Sequence, residues 1–475
     1  MNPAIESIRA GFAPNLCLDR TWAEKCKKAV IIMKGNKMRI VVALLACTLG
    51  LSAESVTFNK NVAVILQKNC QECHRPGEIG PMSLLSYQEA RPWAKAIKQA
   101  VLAKKMPPWF ADPSYGHFSN DRRLSDADVK ALVAWVDAGA PEGDAKDKPK
   151  PVDWLEGWNI GKPDYIVEMP IEYKVPATGV IDYTYIIVPS GFTEDKWVQA
   201  AELRPSNRAV VHHANVSVRP PGSKTYQDQP VGVFFIPSKS RASTAPAATA
   251  ASVATLSDDY LVGYTPGKQA INLTSSEARL IPAGSDFVFQ MHYTPNGTVL
   301  NDRTRVGVIF AKHPPEKRVS RIVAANATFA IPPMDPDYHV DGAITMATDA
   351  EIVSIKPHMH LRGKWMEVRA VYPTGEKETL LRVPHYDFSW QMDYIPVKPI
   401  VAPKGTRLEV SAGFDNSPNN PYNPDPKATV RWGDQSFDEM MGNFFEIAYD
   451  PKLDPSQLLV KAKRSGAVAV AVPAE

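Results

Sequence analysis

Apolar residues along the chain follow two periods. Within residues 54–144 they recur at helical spacing: Val62, Ile65 and Leu66 mark one amphipathic helix, and Val129, Leu132, Val133 and Val136 a second. The second helix carries its own boundary signals. Ser125 stands at the cap with Asp128 three residues on, Leu124 can staple to Val129, and Gly139 supplies the stop. Beyond the charged, proline-bearing stretch from Glu142 to Pro151 the period falls to two. Tyr183, Tyr185 and Ile187 alternate, as do Val306, Val308 and Phe310; Leu408, Val410, Ala412 and Phe414 alternate against Arg407, Glu409 and Ser411. Val368, Ala370 and Tyr372 run into Pro373-Thr-Gly-Glu376, a hairpin signature. Strands recur from 160 to 455 without a convincing helix, which predicts two antiparallel, jelly-roll-like β-sandwiches of about 150 residues each. Their joint falls near Pro314-Pro315, and Ser240 to Ala251, rich in Ser, Ala and Thr, predicts a surface loop in the first.

Composition agrees with this division. A chain of 475 residues has room for roughly three domains. At 44% hydrophobic and 22% charged it is neither a disordered chain nor a membrane bundle. Its 54 basic and 51 acidic residues give no electrostatic reason for a nucleic-acid partner. The 42 prolines argue for turns and short strands over long helices. Lys34, Lys37 and Arg39 precede an apolar run from Ile40 to Leu51 and the small residues Ser52 and Ala53, the order of a secretory signal. That run is too short to span a membrane, so no transmembrane helix is expected. Translation could begin at Met33 or Met38; cleavage follows Ala53, or alternatively Cys47 serves as a lipid anchor. The expected parts are an extension and signal (1–53), a helical domain (54–144), a linker (145–160), two sandwiches (161–314 and 315–455) and a tail (456–475).

Of five cysteines, only Cys70 and Cys73 lie beyond the signal, and an exported protein keeping two thiols at this spacing keeps them for chemistry. Cys70-Gln-Glu-Cys73-His74 is the attachment pattern of a c-type haem, two thiols for the porphyrin and an imidazole for the iron; a zinc knuckle lacks its further cysteines. Met106, in Met-Pro-Pro-Trp, and Met82 are the candidate sixth ligands. The helix, haem motif, Met-Pro-Pro and closing helix together resemble a class I cytochrome c. The resemblance implies His74 and Met106 as axial ligands, with Met82 as the alternative.

Three histidine features punctuate the strands: His212-His213, His292 in Phe-Gln-Met-His-Tyr, and His358-Met-His360. His358 and His360, two apart on a strand, share a face and can chelate one ion, whereas adjacent His212 and His213 need a bulge or different ring nitrogens. His117, His313, His339 and His385 match no ligand pattern. A fourth feature, Asp438-Glu439-Met440-Met441, follows. The order of the four motifs resembles the copper type II ascorbate-dependent monooxygenases, among them peptidylglycine α-hydroxylating monooxygenase and dopamine β-monooxygenase, over residues 165–450.

That resemblance implies two copper ions. His212, His213 and His292 would hold an electron-storing copper on the first sandwich; His358, His360 and Met440 would hold an oxygen-activating copper on the second, with Met441 the competing thioether. The chain also departs from the family. Its β domains contain no cysteine, and Lys356, Gly442 and Phe444 stand where the amidating enzyme has the arginine, asparagine and tyrosine of its carboxylate clamp. Peptide amidation is therefore not inherited. The expectation is an exported, periplasmic haem-copper monooxygenase that hydroxylates a C–H bond of a small-molecule or peptide substrate. An external redox protein or ascorbate-like reductant would feed the haem, and the haem the first copper. The alternatives are a non-catalytic electron-transfer or copper-binding protein, and an oxidoreductase with other chemistry at the same metals.

Overall fold

The computed structural model describes residues 56–78, 80–154, 157–237, 260–265, 270–433 and 435–460. The signal segment, Cys47, the Ser240 to Ala251 stretch and most of the tail lie outside them. Among the described residues no helix is long and apolar enough to cross a membrane.

The amino-terminal module is helical: a turn at Phe58–Val62 runs into Ala63–Asn69, followed by Tyr87–Ala90, Ala94–Leu102 and Asp126–Asp137. Ser125 caps the last helix by accepting from the Asp128 N–H at 3.1 Å, and Gly139 takes φ +86° beyond its end. The buried face includes Leu132 of the expected stripe and adds Trp135, which the stripe omits. Leu132 and Trp135 are fully buried, whereas Val129, Val133 and Val136 are half-buried. Trp135 wins this position because its ring packs 5.9 Å from Phe58 while its Nε1 donates to the Pro141 carbonyl at 3.0 Å. Phe58 also donates its N–H to Pro141, so both ends of the module close on one point.

In the first sandwich, a four-stranded antiparallel sheet in the order Thr184–Pro189, Asp286–Tyr293, Val211–Arg219, Tyr260–Tyr264 packs on a layer containing Lys196–Arg204, Arg305–Phe310 and Glu277–Ile281. The second repeats the plan. Tyr338–Thr345, Arg407–Phe414, Gly363–Val371 and Lys377–Val383 cover Lys317–Ala325, Met441–Tyr449 and Ala350–Met359. The alternations at 306–310 and 408–414 fall on strands, and the Pro373 to Glu376 turn closes a hairpin with Gly375 at φ +88°. Thr184–Pro189, however, is buried on both faces. Tyr183, Tyr185 and Ile187 form a separate cluster with Tyr226 and Phe235, because the backbone of Phe235 bonds to that of Tyr185 and covers the outer face.

The two sandwiches are not separated at Pro314-Pro315. Lys317–Ala325 pairs in parallel with Glu277–Ile281, fusing one layer of each sandwich into a nine-stranded sheet, so the expected wholly antiparallel arrangement fails at that junction. A buried charge cluster locks it. Glu446 of the second sandwich pairs with Arg321 at 2.7 Å and with Arg279 of the first, and the Arg321 guanidinium lies 3.1 Å from the Tyr260 ring centroid.

The helical module is anchored in the same way. Residues 107–120 leave it as an arm whose Trp109 is buried in the second sandwich's core, 4.9 Å from the Tyr394 ring. Asn120 both donates to the Asp393 carbonyl and accepts from the Ile395 N–H. The linker is held too: Trp154 packs against Arg75, and Asn159 donates to Glu202.

Replacing Glu446 by alanine should strand two buried guanidinium groups and cost about 3–5 kcal/mol. A lowered denaturant midpoint would register it, and an unchanged midpoint would contradict the locking role.

Candidate metal and haem centres

The helix Ala63–Asn69 ends at Cys70, and a tight turn brings the N–H groups of Cys73 and His74 onto the Cys70 carbonyl at 3.2 and 2.9 Å. Both thiols are free, and burial pushes Cys70 up to about 12 and raises Cys73. His74 Nδ1 lies 3.3 Å from the Met82 carbonyl, which can only accept, so Nδ1 carries the proton and Nε2 the open lone pair. Gly80 permits this closure: a Cβ there would stand 2.7 Å from His74 Nδ1. The two candidate methionines separate. Met82 spends its carbonyl on His74 and packs its side chain into the helical core, whereas half-buried Met106 begins the arm outside that core. Two free thiols on one turn and an imidazole with an open Nε2 fit a c-type haem.

The three histidines of the first sandwich converge. His213 stands opposite His292 in the register of Val211–Arg219 and Asp286–Tyr293, and a β-bulge between Val211 and His213 makes His212 the extra residue. The bulge lets two adjacent side chains reach one point: one ring nitrogen from each of His212, His213 and His292 lies within 4.8 Å of the others. Tyr183 places its hydroxyl 3.1 Å from His213 Nε2 and its ring 4.7 Å from His292. That leaves Nδ1 on His213, and Nδ1 of both His212 and His292 is buried with no hydrogen-bond partner. Among the described residues, Nδ1 is thus buried and unbonded on two of the rings, and Tyr183 engages Nε2 of the third. Burial lowers all three pKa values, His292 to about 3, so the set is neutral and able to coordinate. Three neutral imidazoles with orphaned nitrogens fit a copper or zinc ion.

The second sandwich presents the other set. In its pairing, Met359 stands opposite Met441, and both are fully buried in the core. Alternation then turns His358 to the opposite face, so Met441 is a core residue, whereas half-buried Met440 lies just before its strand begins. The His358 and His360 rings are 5.2 Å apart and perpendicular. His358 Nδ1 donates to Gln391 Oε1 at 2.8 Å and His360 Nδ1 donates to the Asp438 carbonyl at 3.3 Å. Buried Glu439 ties the set together by accepting the N–H groups of His360, Arg362 and Met440 at 2.8, 2.7 and 3.0 Å. Burial raises its carboxyl to about 8 and lowers His358 to about 4. Buried Lys356, two residues before His358, shares its face. Residue spacing marks neither Gln391 nor Tyr183 as a partner of a histidine; only their hydrogen bonds do.

The two sets face each other across one ring, Phe388, whose centroid lies 6.0 Å from His212 and 5.9 Å from His360. Tyr183 bridges the same gap by donating its N–H to Gln435 at 3.4 Å. His117, His313, His339 and His385 are all exposed, away from both sets.

The helical module is a class I cytochrome c domain: residues 60–139 match the cytochrome c family model. Its cofactor is a haem. No curated protein matches the chain. Among solved structures, infectious bursal disease virus of the Gx strain aligns at 12% identity over 65% of this chain and 77% of that one, with a TM-score of 0.16. The Gt strain aligns at 11% over 66% and 75%, with a TM-score of 0.18. Scores this low carry no argument about the β region.

Two outcomes follow from these centres. Met106→Ala should remove the low-spin haem bands and lower the reduction potential, while Met82→Ala keeps both; the reverse pattern would exchange the ligands. The second concerns pH. His292 and His358 have folded values of about 3 and about 4 against 6.5 for the free ring, so at intermediate pH the unfolded chain binds more protons. Their stabilisation is complete above pH 6.5 and declines as pH falls toward 4. Denaturant titrations of the metal-free protein should show that decline, and His292→Gln should flatten it; an identical slope in the variant would mean that the ring is solvated.

Proposed function

We propose that the chain is an exported haem- and copper-dependent monooxygenase that inserts one atom of O2 into a C–H bond of a small-molecule or peptide substrate, with the cytochrome c domain supplying electrons. The observation that carries this reading is the pair of imidazole sets, His212, His213 and His292 on one side and His358 and His360 on the other, on facing surfaces of two joined sandwiches. Copper bound there would supply one-electron storage at His212, His213 and His292 and reduction of O2 at His358, His360 and Met440. The protein's own part is orientation. Gln391 and the Asp438 carbonyl hold the two rings in one tautomer, Glu439 fixes the spacing of His360 and Met440, and the Met440 thioether favours the cuprous state.

A second reading, electron transfer or copper carriage without catalysis, draws support from Phe388, which occupies space between the sets that a substrate would need. Labelled oxygen separates the two. On haem- and copper-loaded protein with a substrate panel, 18O2 should give product carrying one labelled atom. Met440→Ile should abolish it while leaving the haem spectrum and the three-histidine copper signal unchanged. Full turnover in that variant would remove Met440 from the site. Electron transfer with no labelled product would favour the second reading.

A further inference from the structure

The segment from Tyr386 to Val397 touches more of the molecule than its length suggests. One side of it serves the His358 set. The Tyr386 hydroxyl donates to the Met359 carbonyl at 2.9 Å, Phe388 lies against His360, Gln391 holds His358, and Tyr394 exchanges backbone hydrogen bonds with Ile355 at 2.8 and 3.0 Å. The other side is held by the cytochrome c domain. Trp109, three residues beyond Met106, packs on Tyr394, and Ser119 and Asn120 bond to the backbone at 393–395. Beside these contacts lies a cavity of about 530 Å³ walled by Cys73 and Arg122 of the haem-attachment side and by Gln391 and Asp393 opposite. The Cys73 turn and the arm that follows Met106, the expected sixth ligand, therefore both reach the segment that holds His358. Coupling between separated sites is carried by packed side chains and hydrogen bonds of this kind.

We propose that Trp109, Tyr394 and Gln391 connect the haem to the His358, His360 and Met440 site, so that its electron enters there and not at the three-histidine site. This rests on the two-copper reading above. The step balances as one electron lost by ferrous haem, which becomes ferric, and one gained by a cupric ion at that site, which becomes cuprous; an external one-electron reductant restores the haem. The competing line runs through the ion pair of Glu78 with Arg208, and past Tyr264, whose strand pairs with Ala214 beside His213. Among the described residues the Tyr264 hydroxyl has no hydrogen-bond partner, and the hydroxyl bonded to His213 is that of Tyr183.

The test uses full-length protein loaded with haem and cupric copper. The haem is reduced by one equivalent without oxygen; its reoxidation is followed by absorbance, and freeze-quench EPR identifies the cupric signal that disappears. His212→Ala should keep the wild-type reoxidation rate and His358→Ala should lose it. Trp109→Leu should slow it several-fold with the haem bands unchanged, Trp109→Phe should restore it, and Gln391→Leu should slow it without touching the aromatic core. Loss of the rate in His212→Ala, its survival in His358→Ala, or wild-type rates in both Trp109→Leu and Gln391→Leu would overturn the proposal while leaving the two-copper function standing. A wild-type haem that stays ferrous beside both cupric ions would overturn that function itself.

Discussion

The register between Ala350–Met359 and Met441–Tyr449 governs the site-bearing face of the second sandwich. Met359 and Met441 stand opposite one another and both enter the core, and a strand alternates sides at every residue. Once that pair is buried, His358 must point the other way. A slip of one residue would exchange ligand for core. The hydrophobic effect thus separates the two methionines: Met441 is buried in the core and Met440 is half-buried outside it. Glu439 extends the constraint beyond the strand ends. His360 and Met440 lie just outside regular pairing, where strand hydrogen bonds no longer fix them, and one buried carboxylate collects their N–H groups with that of Arg362. Its burial favours the neutral acid, and its three backbone donors favour the charged form.

The first sandwich meets the same need by a different route. Adjacent residues on a regular strand diverge, so His212 and His213 could not share an ion without an irregularity. The bulge at His212 supplies it, and His292 completes the set from the neighbouring strand. Hydrogen bonds to other residues orient rings in both sets, Tyr183 holding His213 in one case and Gln391 and the Asp438 carbonyl holding His358 and His360 in the other.

Legibility from sequence divides along the same physical lines. Local signals were readable: the Ser125 cap, the Cys70 to His74 motif, the alternation at 408–414 and the need for a bulge at the paired histidines each depend on a few neighbouring residues. What depends on contacts distant in sequence was not. Trp135 joins the buried face because Pro141 and Phe58 happen to meet it, and Thr184–Pro189 loses its exposed face because the segment near Phe235 folds over it. Gln391 is 33 residues from the histidine it holds, a separation that periodicity and motif spacing do not register.

The boundary near Pro314-Pro315 illustrates why domain limits read from composition understate cooperation. Two prolines mark a turn correctly, yet the next strand pairs in parallel with Glu277–Ile281 and carries the sheet onward. The buried Glu446 cluster then makes separation costly, since opening the junction would leave two arginines without their carboxylate. The cytochrome c domain is bound by the same logic. Trp109 is apolar surface that its own small module has no core to cover, and the second sandwich buries it among Tyr394 and Phe118. The arm that begins at Met106 is consequently part of the second sandwich's packing, and the geometry of the haem side and of the His358 side cannot relax independently. A flexible tether would raise the local concentration of one module near the other; shared core residues go further and hold the two in a defined orientation.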